Sequence, residues 1–429
     1  MSALISLAPP ELEKSCKKLP QSPTDAAATL TRPSKMLLTQ CPACAAALPP
    51  LSAKQCSRCK TRYCGPACQE QHWNSGGHDN LCRRIKRAGG AEQYHANKKF
   101  AEAVAVAVER CADDTKGQTC YICTQALHWK TKEGLVRMCA CRGTAGFAHV
   151  SCLAEEAKIL FAEAEENNLD WEVKNPRFER WDKCSLCEQK YHGVVCCALG
   201  WACWKTYVGR PEADWSRTSA MTLLGNGLGT TGQHQDALLV QEAELSMRRR
   251  IGDPERNLFA VQGNLALTYQ SLGRLEESVE QNRLAYFGCS RIHGGEHEET
   301  LIAADNYAIS LIDLQRSEEA KSLLRKMIPV VRRVLGESND LTLRMRCHYA
   351  RTLYLDEGAT LDDLREAATT LEETERTARR VMGSEHPLTR RVEYELRCTR
   401  AAVCACEGDV ESLLSLRNAV EAMKPPGSA

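Results

Sequence analysis

Between Cys41 and Cys187 the chain carries fourteen cysteines and two histidines arranged as eight short-spaced pairs. The first four pairs are Cys41-x2-Cys44, Cys56-x2-Cys59, Cys64-x3-Cys68 and His78-x3-Cys82; the next four are Cys120-x2-Cys123, Cys139-x1-Cys141, His149-x2-Cys152 and Cys184-x2-Cys187. Zinc takes thiolate sulfur and neutral imidazole nitrogen at about 2.0–2.3 Å, and two donors a few residues apart reach one ion from a tight turn or one helical turn. Each pair therefore supplies half of a tetrahedral site, and sixteen donors make four sites, or four Zn2+ per chain. Buried core cysteine is the alternative, and it does not explain the pairing.

The bulk composition agrees with metal chemistry in a reducing compartment. The 429 residues include 24 Cys, and 56 Lys plus Arg stand against 55 Asp plus Glu, a net charge of +1. That balance gives no global attraction to nucleic acid or membrane. Residues 1–36 are broken by Pro9, Pro10, Pro20, Pro23 and Pro33, so no apolar leader is expected there and a disordered N-terminal segment is. The apolar run Gly193 to Trp204 falls short of the roughly 20 residues of a membrane helix. A cytoplasmic location is expected, with the nucleus as the alternative, and no membrane partner.

The segment Tyr63-Cys64-Gly-Pro-Ala-Cys68-Gln69-Glu-Gln-His72-Trp73, closed by His78 and Cys82, resembles the MYND-type zinc finger over residues 41–82. The resemblance implies interleaved pairs, with Cys41, Cys44, Cys64 and Cys68 on one zinc and Cys56, Cys59, His78 and Cys82 on the other. It also implies binding of short Pro-containing peptides. Four residues separate Trp73 from His78, about twice the common family spacing, so the Asn-Ser-Gly-Gly insert must loop out. His72, with nine residues between it and Cys82, is the alternative ligand and is read as a packing or capping residue. Lys54, Arg58, Lys60 and Arg62 offset excess thiolate charge. The run Arg83-Arg84-Ile85-Lys86-Arg87 reads as a solvated face, with nuclear import or nucleic-acid binding as the alternative. A helical linker over 83–118 follows.

The second set has the order four Cys, one His, three Cys, which PHD and RING-CH fingers share. A single residue, Ala140, inside the second pair and seven residues between Cys141 and His149 favour RING-CH. The run Cys139-Ala-Cys141-Arg-Gly-Thr-Ala-Gly-Phe-Ala-His149-Val-Ser-Cys152-Leu153 and the close Cys184-Ser-Leu-Cys187-Glu-Gln-Lys-Tyr191 resemble that ubiquitin-ligase finger over residues 119–191. The resemblance implies Cys120, Cys123, His149 and Cys152 on one zinc and Cys139, Cys141, Cys184 and Cys187 on the other. It further implies docking of a ubiquitin-conjugating enzyme, with Ile122 as the apolar contact and Trp181 as the aromatic one. No side chain of the chain then acts as a catalytic group. Two departures count against ligase activity: the 31 residues between Cys152 and Cys184, read as an extended helix over Leu153 to Asn167, and Glu188 where active RINGs often place a basic residue.

The scaffold that must carry these fingers starts with an aromatic connector over 192–216, where Trp201, Trp204, Tyr207 and Trp215 need burial. Beyond it, Asn264-Leu-Ala-Leu, Asn306-Tyr-Ala-Ile and His348-Tyr-Ala-Arg start 42 residues apart, and Gly294-x2-His297-x2-Thr300 recurs as Gly336-x2-Asn339-x2-Thr342 and Gly383-x2-His386-x2-Thr389. A fixed period means stacked supersecondary units. Two helices per unit at this period resemble the tetratricopeptide repeats of the kinesin light chain type over 217–408, with a capping helix over 409–424. Pro329 lies inside a predicted helix and should kink it. The resemblance assigns Asn264 and Asn306 to peptide-backbone binding in the solenoid groove; packing or capping between repeats is the equal alternative. The remaining ten Cys, Cys16, Cys111, Cys196, Cys197, Cys203, Cys289, Cys347, Cys398, Cys404 and Cys406, read as small hydrophobes.

The fold class expected is mainly α, two small cross-braced zinc fingers followed by a tetratricopeptide-like solenoid. The functional expectation is a zinc-binding protein-interaction protein acting as a RING-CH-type ubiquitin ligase or ligase adaptor. Its repeats and first finger take protein or peptide targets, and its second finger takes a ubiquitin-conjugating enzyme. Whether it is an enzyme, a ubiquitin-protein transferase, stays open against a non-enzymatic scaffold or a transcriptional or chromatin adaptor. Nucleic acid is not an expected partner.

Overall fold

The structure is a computed structural model and describes residues 41–44, 46, 48, 53–356, 358–384 and 386–408. The expected N-terminal segment 1–36, Cys16 and the expected capping helix 409–424 lie outside the described residues. Those described fall into two compact units, 41–254 and 255–408. Helix dominates both.

The first unit begins with a two-residue hairpin, β1 (Lys54–Gln55) against antiparallel β2 (Arg62–Tyr63), then α1 (Pro66–Asn74) and α2 (His78–Arg87). In α2, His78, Cys82 and Ile85 are buried on one face while Arg83, Arg84, Lys86 and Arg87 are exposed, the spacing of an amphipathic surface helix. Helix α3 (Ala91–Cys111) buries Ala96, Val104, Ala107 and Cys111. The second cysteine-rich region follows as loops, then α4 (Val150–Glu166), α5 (Trp171–Phe178), one 3-10 turn (Glu179–Trp181) and α6 (Gly193–Tyr207).

Helix α6 is apolar on almost every side, with Cys197, Ala198, Leu199, Trp201, Ala202, Cys203, Trp204 and Tyr207 buried, because it is enclosed by α3, α4 and α7 (Trp215–Gly229). The α6–α7 crossing is close enough to require glycine. A Cβ on Gly227 would lie 2.9 Å from the Cys197 Cα, and one on Gly200 would lie 3.0 Å from the Leu223 carbonyl oxygen. Phe161, Phe178, Trp181, Trp201, Trp204 and Tyr207 fill the surrounding core, so the aromatic density of 192–216 is consumed by packing. Helix α8 (His234–Ile251) completes this unit.

The second unit is an antiparallel series of helices, α9 (Glu255–Ser271), α10 (Leu275–His293), α11 (Glu298–Asp313), α12 (Ser317–Leu335), α13 (Asp340–Tyr354), α14 (Leu361–Met382) and α15 (Pro387–Glu407). The core follows helical spacing, for example Ala320, Leu324, Met327 and Val331 in α12 and Leu301, Ala304, Ala308 and Leu311 in α11. The Gly-x2-His/Asn-x2-Thr mark is a helix-to-helix turn. Gly294, Gly336 and Gly383 take φ of +85°, +89° and +87°, a conformation only glycine adopts freely. His297, Asn339 and His386 then cap the next helix by accepting the backbone N–H two residues on, and Thr300 and Thr342 donate their hydroxyls back to the Gly294 and Gly336 carbonyls at 2.8 Å. Pro329 lies inside helix α12, as the sequence predicted. Cys111, Cys203, Cys289 and Cys347 are buried in the cores; Cys404 is partly exposed and Cys406 exposed. No described helix is long and apolar enough to cross a membrane.

Candidate metal centres and partner surfaces

The structure gathers the sixteen paired residues into four groups of four: Cys41, Cys44, Cys64, Cys68; Cys56, Cys59, His78, Cys82; Cys120, Cys123, His149, Cys152; and Cys139, Cys141, Cys184, Cys187. Within each group every ligand atom lies within 4.8 Å of the others. Sulfur–sulfur separations of 3.5 Å (Cys44–Cys64), 3.4 Å (Cys64–Cys68), 3.9 Å (Cys56–Cys82) and 3.8 Å (Cys141–Cys184) bracket the roughly 3.8 Å edge of a tetrahedron with 2.3 Å zinc–sulfur bonds. The donor sets and distances fit zinc, and the metal in such closed sites is structural.

Three of the thiol pairs sit on the same turn. Cys56, Cys120 and Cys184 each donate their backbone N–H to the carbonyl five residues on, at 2.8, 3.0 and 3.0 Å, and accept from the N–H four residues on. The fourth residue after each is Lys60, Thr124 or Glu188, with φ of +62°, +60° and +56°. That left-handed step turns the chain so that both sulfurs point to one side. A metal-free copy begins at His128, whose N–H bonds Glu133 and whose carbonyl accepts from Lys132 at φ +60°. There the Thr131 hydroxyl lies 2.8 Å from the His128 Nδ1, so a hydrogen bond closes a turn that thiolates close elsewhere. The sequence signal was a His-x2-Thr pair, which carries no metal pattern.

Local structure fixes the histidines. His78 and Cys82 are one turn apart at the start of α2, and His78 Nε2 lies 3.4 Å from the Cys59 sulfur. His72 stands outside that group, with its Nδ1 3.1 Å from the Tyr63 hydroxyl. His149 precedes α4 and turns Nδ1 to Cys123 and Cys152 at 3.4 and 3.5 Å, while Nε2 faces the Ala126 carbonyl at 3.4 Å. A carbonyl partner on the outer nitrogen selects the tautomer that frees Nδ1 for metal. The N-terminus of α4 is held by Glu133, whose carboxylate accepts from the Ser151 N–H and hydroxyl at 2.7 and 2.8 Å.

Crowded thiols divide their protons unequally. Burial raises Cys41 and Cys56, but hydrogen bonds lower both further, to about 6: from Cys64, Cys44 and Ala43 onto Cys41, and from His78, Cys59 and Arg58 onto Cys56. In the same groups, the Cys64 hydrogen bond pushes Cys68 up to about 12, and burial with the Cys56 hydrogen bond does the same to Cys82. Thiolates this close cannot all be charged without a cation between them.

The partner-contact residues divide. Ile122 is 39% exposed between Cys120 and Cys123. Trp181 is 1% exposed, its ring edge-on to Tyr207 at 5.8 Å, so the aromatic contact expected there is corrected: α4, α5 and α6 pack around its turn. Leu186, between Cys184 and Cys187, is 51% exposed. Tyr121 and Ser185, the neighbours of Ile122 and Leu186, are joined through their hydroxyls at 3.0 Å, which brings the two exposed side chains to adjoining loop tips. Sequence reasoning missed Leu186, although a large apolar residue inside a ligand pair is the same signal that singled out Ile122. Glu188 is bound to Arg180 at 2.7 Å, and that hydrogen bond holds its carboxyl below the usual range. Asn264 and Asn306 are half-buried in α9 and α11, and the Asn306 carbonyl accepts from Asn282 at 3.1 Å. At the third position of that series, His348 is buried with its Nδ1 2.8 Å from Asp305.

Comparison with known proteins places names on two of these regions. Residues 39–82 match the family described as MYND finger, and residues 257–330 match the family described as tetratricopeptide repeat. No curated protein matches. Among solved structures, the chain is similar to nearly identical TPR-like repeats of a putative kinesin light chain from Podosopora anserina, at 21% identity over 50% of this chain and 96% of that one, TM-score 0.39. A point variant of the same repeats matches at 22% identity, covering 48% and 94%, TM-score 0.40. BtubC (BKLC) from P. vanneervenii matches at 13% identity, covering 64% and 89%, TM-score 0.41. The chain thus contains a zinc-binding MYND finger and tetratricopeptide repeats, the parts of a protein-interaction scaffold.

Proposed function

We propose that this protein is a RING-CH-type ubiquitin ligase or ligase adaptor holding four zinc ions. Its second finger docks a ubiquitin-conjugating enzyme, and its repeats and MYND finger hold the protein target. The reading is carried by one observation: Ile122 and Leu186 are exposed on two zinc loops tied together by the Tyr121–Ser185 hydroxyl contact. Zinc supplies rigidity to those loops and takes no part in transfer. The chain's own contribution is placement, with the apolar tips seating the conjugating enzyme while the repeats hold its target. The cytoplasm is the proposed location. An autoubiquitination assay with a panel of conjugating enzymes tests the reading. Activity in the wild type that is lost in Ile122→Ala/Leu186→Ala supports it; equal inactivity of both refutes it.

A second reading, a non-enzymatic scaffold, is favoured by the buried Trp181 and by Glu188 locked to Arg180. Inactivity in that assay together with peptide capture by the repeats would select it.

A further inference from the structure

The turn between α10 and α11 differs from the two turns that repeat it. In the later turns the residue before the glycine and the second residue of the next helix are Leu335 with Leu341 and Met382 with Leu388; Leu341 and Leu388 belong to the solenoid core, and Leu335 and Met382 pack against it, partly buried. In the first turn the same two positions are His293 and Glu299. Both apolar partners have been replaced together, and by residues that ligate metal.

The geometry adds a third donor. The ligand atoms of His293, His297 and Glu299 all lie within 4.8 Å of one another. The His293 and His297 rings stack at 4.5 Å with a 22° tilt. His293 Nε2 is a buried atom 3.2 Å from Glu299 Oε2, yet it makes no hydrogen bond, so it faces the carboxylate along a direction that no N–H occupies. A lone pair aimed beside a carboxylate is the arrangement a cation bridges.

We propose that His293, His297 and Glu299 form a metal site separate from the four finger sites, taking a borderline divalent transition ion such as Zn2+. Two imidazoles and one carboxylate suit that class, and a Ca2+ or Mg2+ site would need more oxygen. Three donors at about 2.1 Å from one ion stand about 3.4 Å apart, so the triad must contract. The movement falls on His297, which is exposed at the turn. His297 Nδ1 now accepts the Glu299 N–H at 3.2 Å as a helix cap, and freeing the ring for metal gives up that cap, which weakens binding by about fivefold. The site is therefore weaker than the thiolate sites, and its ion would clamp the end of α10 to the start of α11.

The test uses the full chain with its fingers already zinc-filled and titrates further Zn2+ by calorimetry. One additional equivalent of micromolar affinity is expected, with a rise in the thermal midpoint of the solenoid. His297→Asn keeps a cap of the kind Asn339 provides and removes one donor, so affinity should fall by about tenfold or more. His293→Leu/Glu299→Leu restores the apolar pair of the later turns and should abolish both the added equivalent and the thermal shift while leaving the tightly held zinc in place. Absence of the added equivalent in the wild type, or its survival in either variant at full affinity, overturns the proposal.

Discussion

The Tyr121 hydroxyl and the Ser185 Oγ stand 3.0 Å apart across two different zinc loops. Tyr121 follows Cys120 of one metal group and Ser185 follows Cys184 of the other, so this contact fixes the relative position of Ile122 and Leu186. Removing the hydroxyl with Tyr121→Phe ends the Ser185 contact and a 3.4 Å bond donated to Glu156 Oε2, about 1–2 kcal/mol in all. Zinc content should be unchanged, because no ligand is touched, while under the proposed function affinity for a conjugating enzyme should fall about fivefold. Metal analysis and a binding titration on the same sample check both halves.

Thr124 is β-branched and held at φ +60°, where such a residue is strained by roughly 1–2 kcal/mol. Thr124→Gly removes that strain and gives back about 0.5–1 kcal/mol in unfolded-state entropy. A net gain of about 0.5–1 kcal/mol in the second finger is expected, visible as a higher thermal midpoint. Glu188→Gly at the equivalent position also removes the Arg180 ion pair, so its gain should be smaller.

What the sequence revealed and what it hid divide by distance along the chain. Donor pairs are local: two cysteines three residues apart on a left-handed turn meet whatever surrounds them, so all four groups were traceable from spacing and family resemblance. The solenoid was equally legible, because Gly294, His297 and Thr300 build one turn from seven consecutive residues and the turn recurs at a fixed period. Trp181 was illegible for the opposite reason. Its burial depends on α4, α5 and α6 closing over its turn, which nothing near Trp181 announces.

Gly227→Ala tests the α6–α7 crossing. The added methyl would stand 2.9 Å from a backbone carbon of α6, and two helices must separate to admit it. Overpacking of this kind costs about 1–3 kcal/mol. Denaturant unfolding should show the first unit destabilised by that amount, and tryptophan fluorescence from Trp201 and Trp204 should report the altered core.

Each finger should unfold when its zinc is removed, since metal binding supplies the folding free energy of small zinc modules. Dialysis to remove loosely held ions should leave four zinc per chain. Two or fewer would show that the eight donors of one finger do not hold metal. Lowering the pH should release these ions as thiolates and imidazoles take up protons, and the loss of finger structure by circular dichroism should track zinc release.

The solenoid should lose stability on the acid side through Asp305 and His348. Asp305 is fully buried, and although burial raises its carboxyl, the charge and hydrogen bond of His348 and the charges of Arg344 and Arg391 bring it below the ordinary value. Burial lowers His348, against the pull of Asp305 and with the push of Arg391 and Arg351. A histidine whose folded pKa is depressed is protonated first in the unfolded chain, so stability falls as pH drops below about 6.5. The depressed carboxylate contributes stability that is present above about 3.9 and is lost as pH falls through its folded value. Both effects have the same sign, and stability should be flat above neutrality and decline in acid. His348→Asn, which places there the residue of the two earlier repeats, removes the first effect and should flatten the decline just below about pH 6.5. His348→Ala removes the hydrogen bond to the Asp305 carboxylate while Arg344 stays 3.5 Å from it, and should destabilise the second unit by about 1.5–3 kcal/mol at neutral pH. Urea unfolding of the three proteins across that pH range checks the prediction, and parallel pH slopes for wild type and His348→Asn would contradict it.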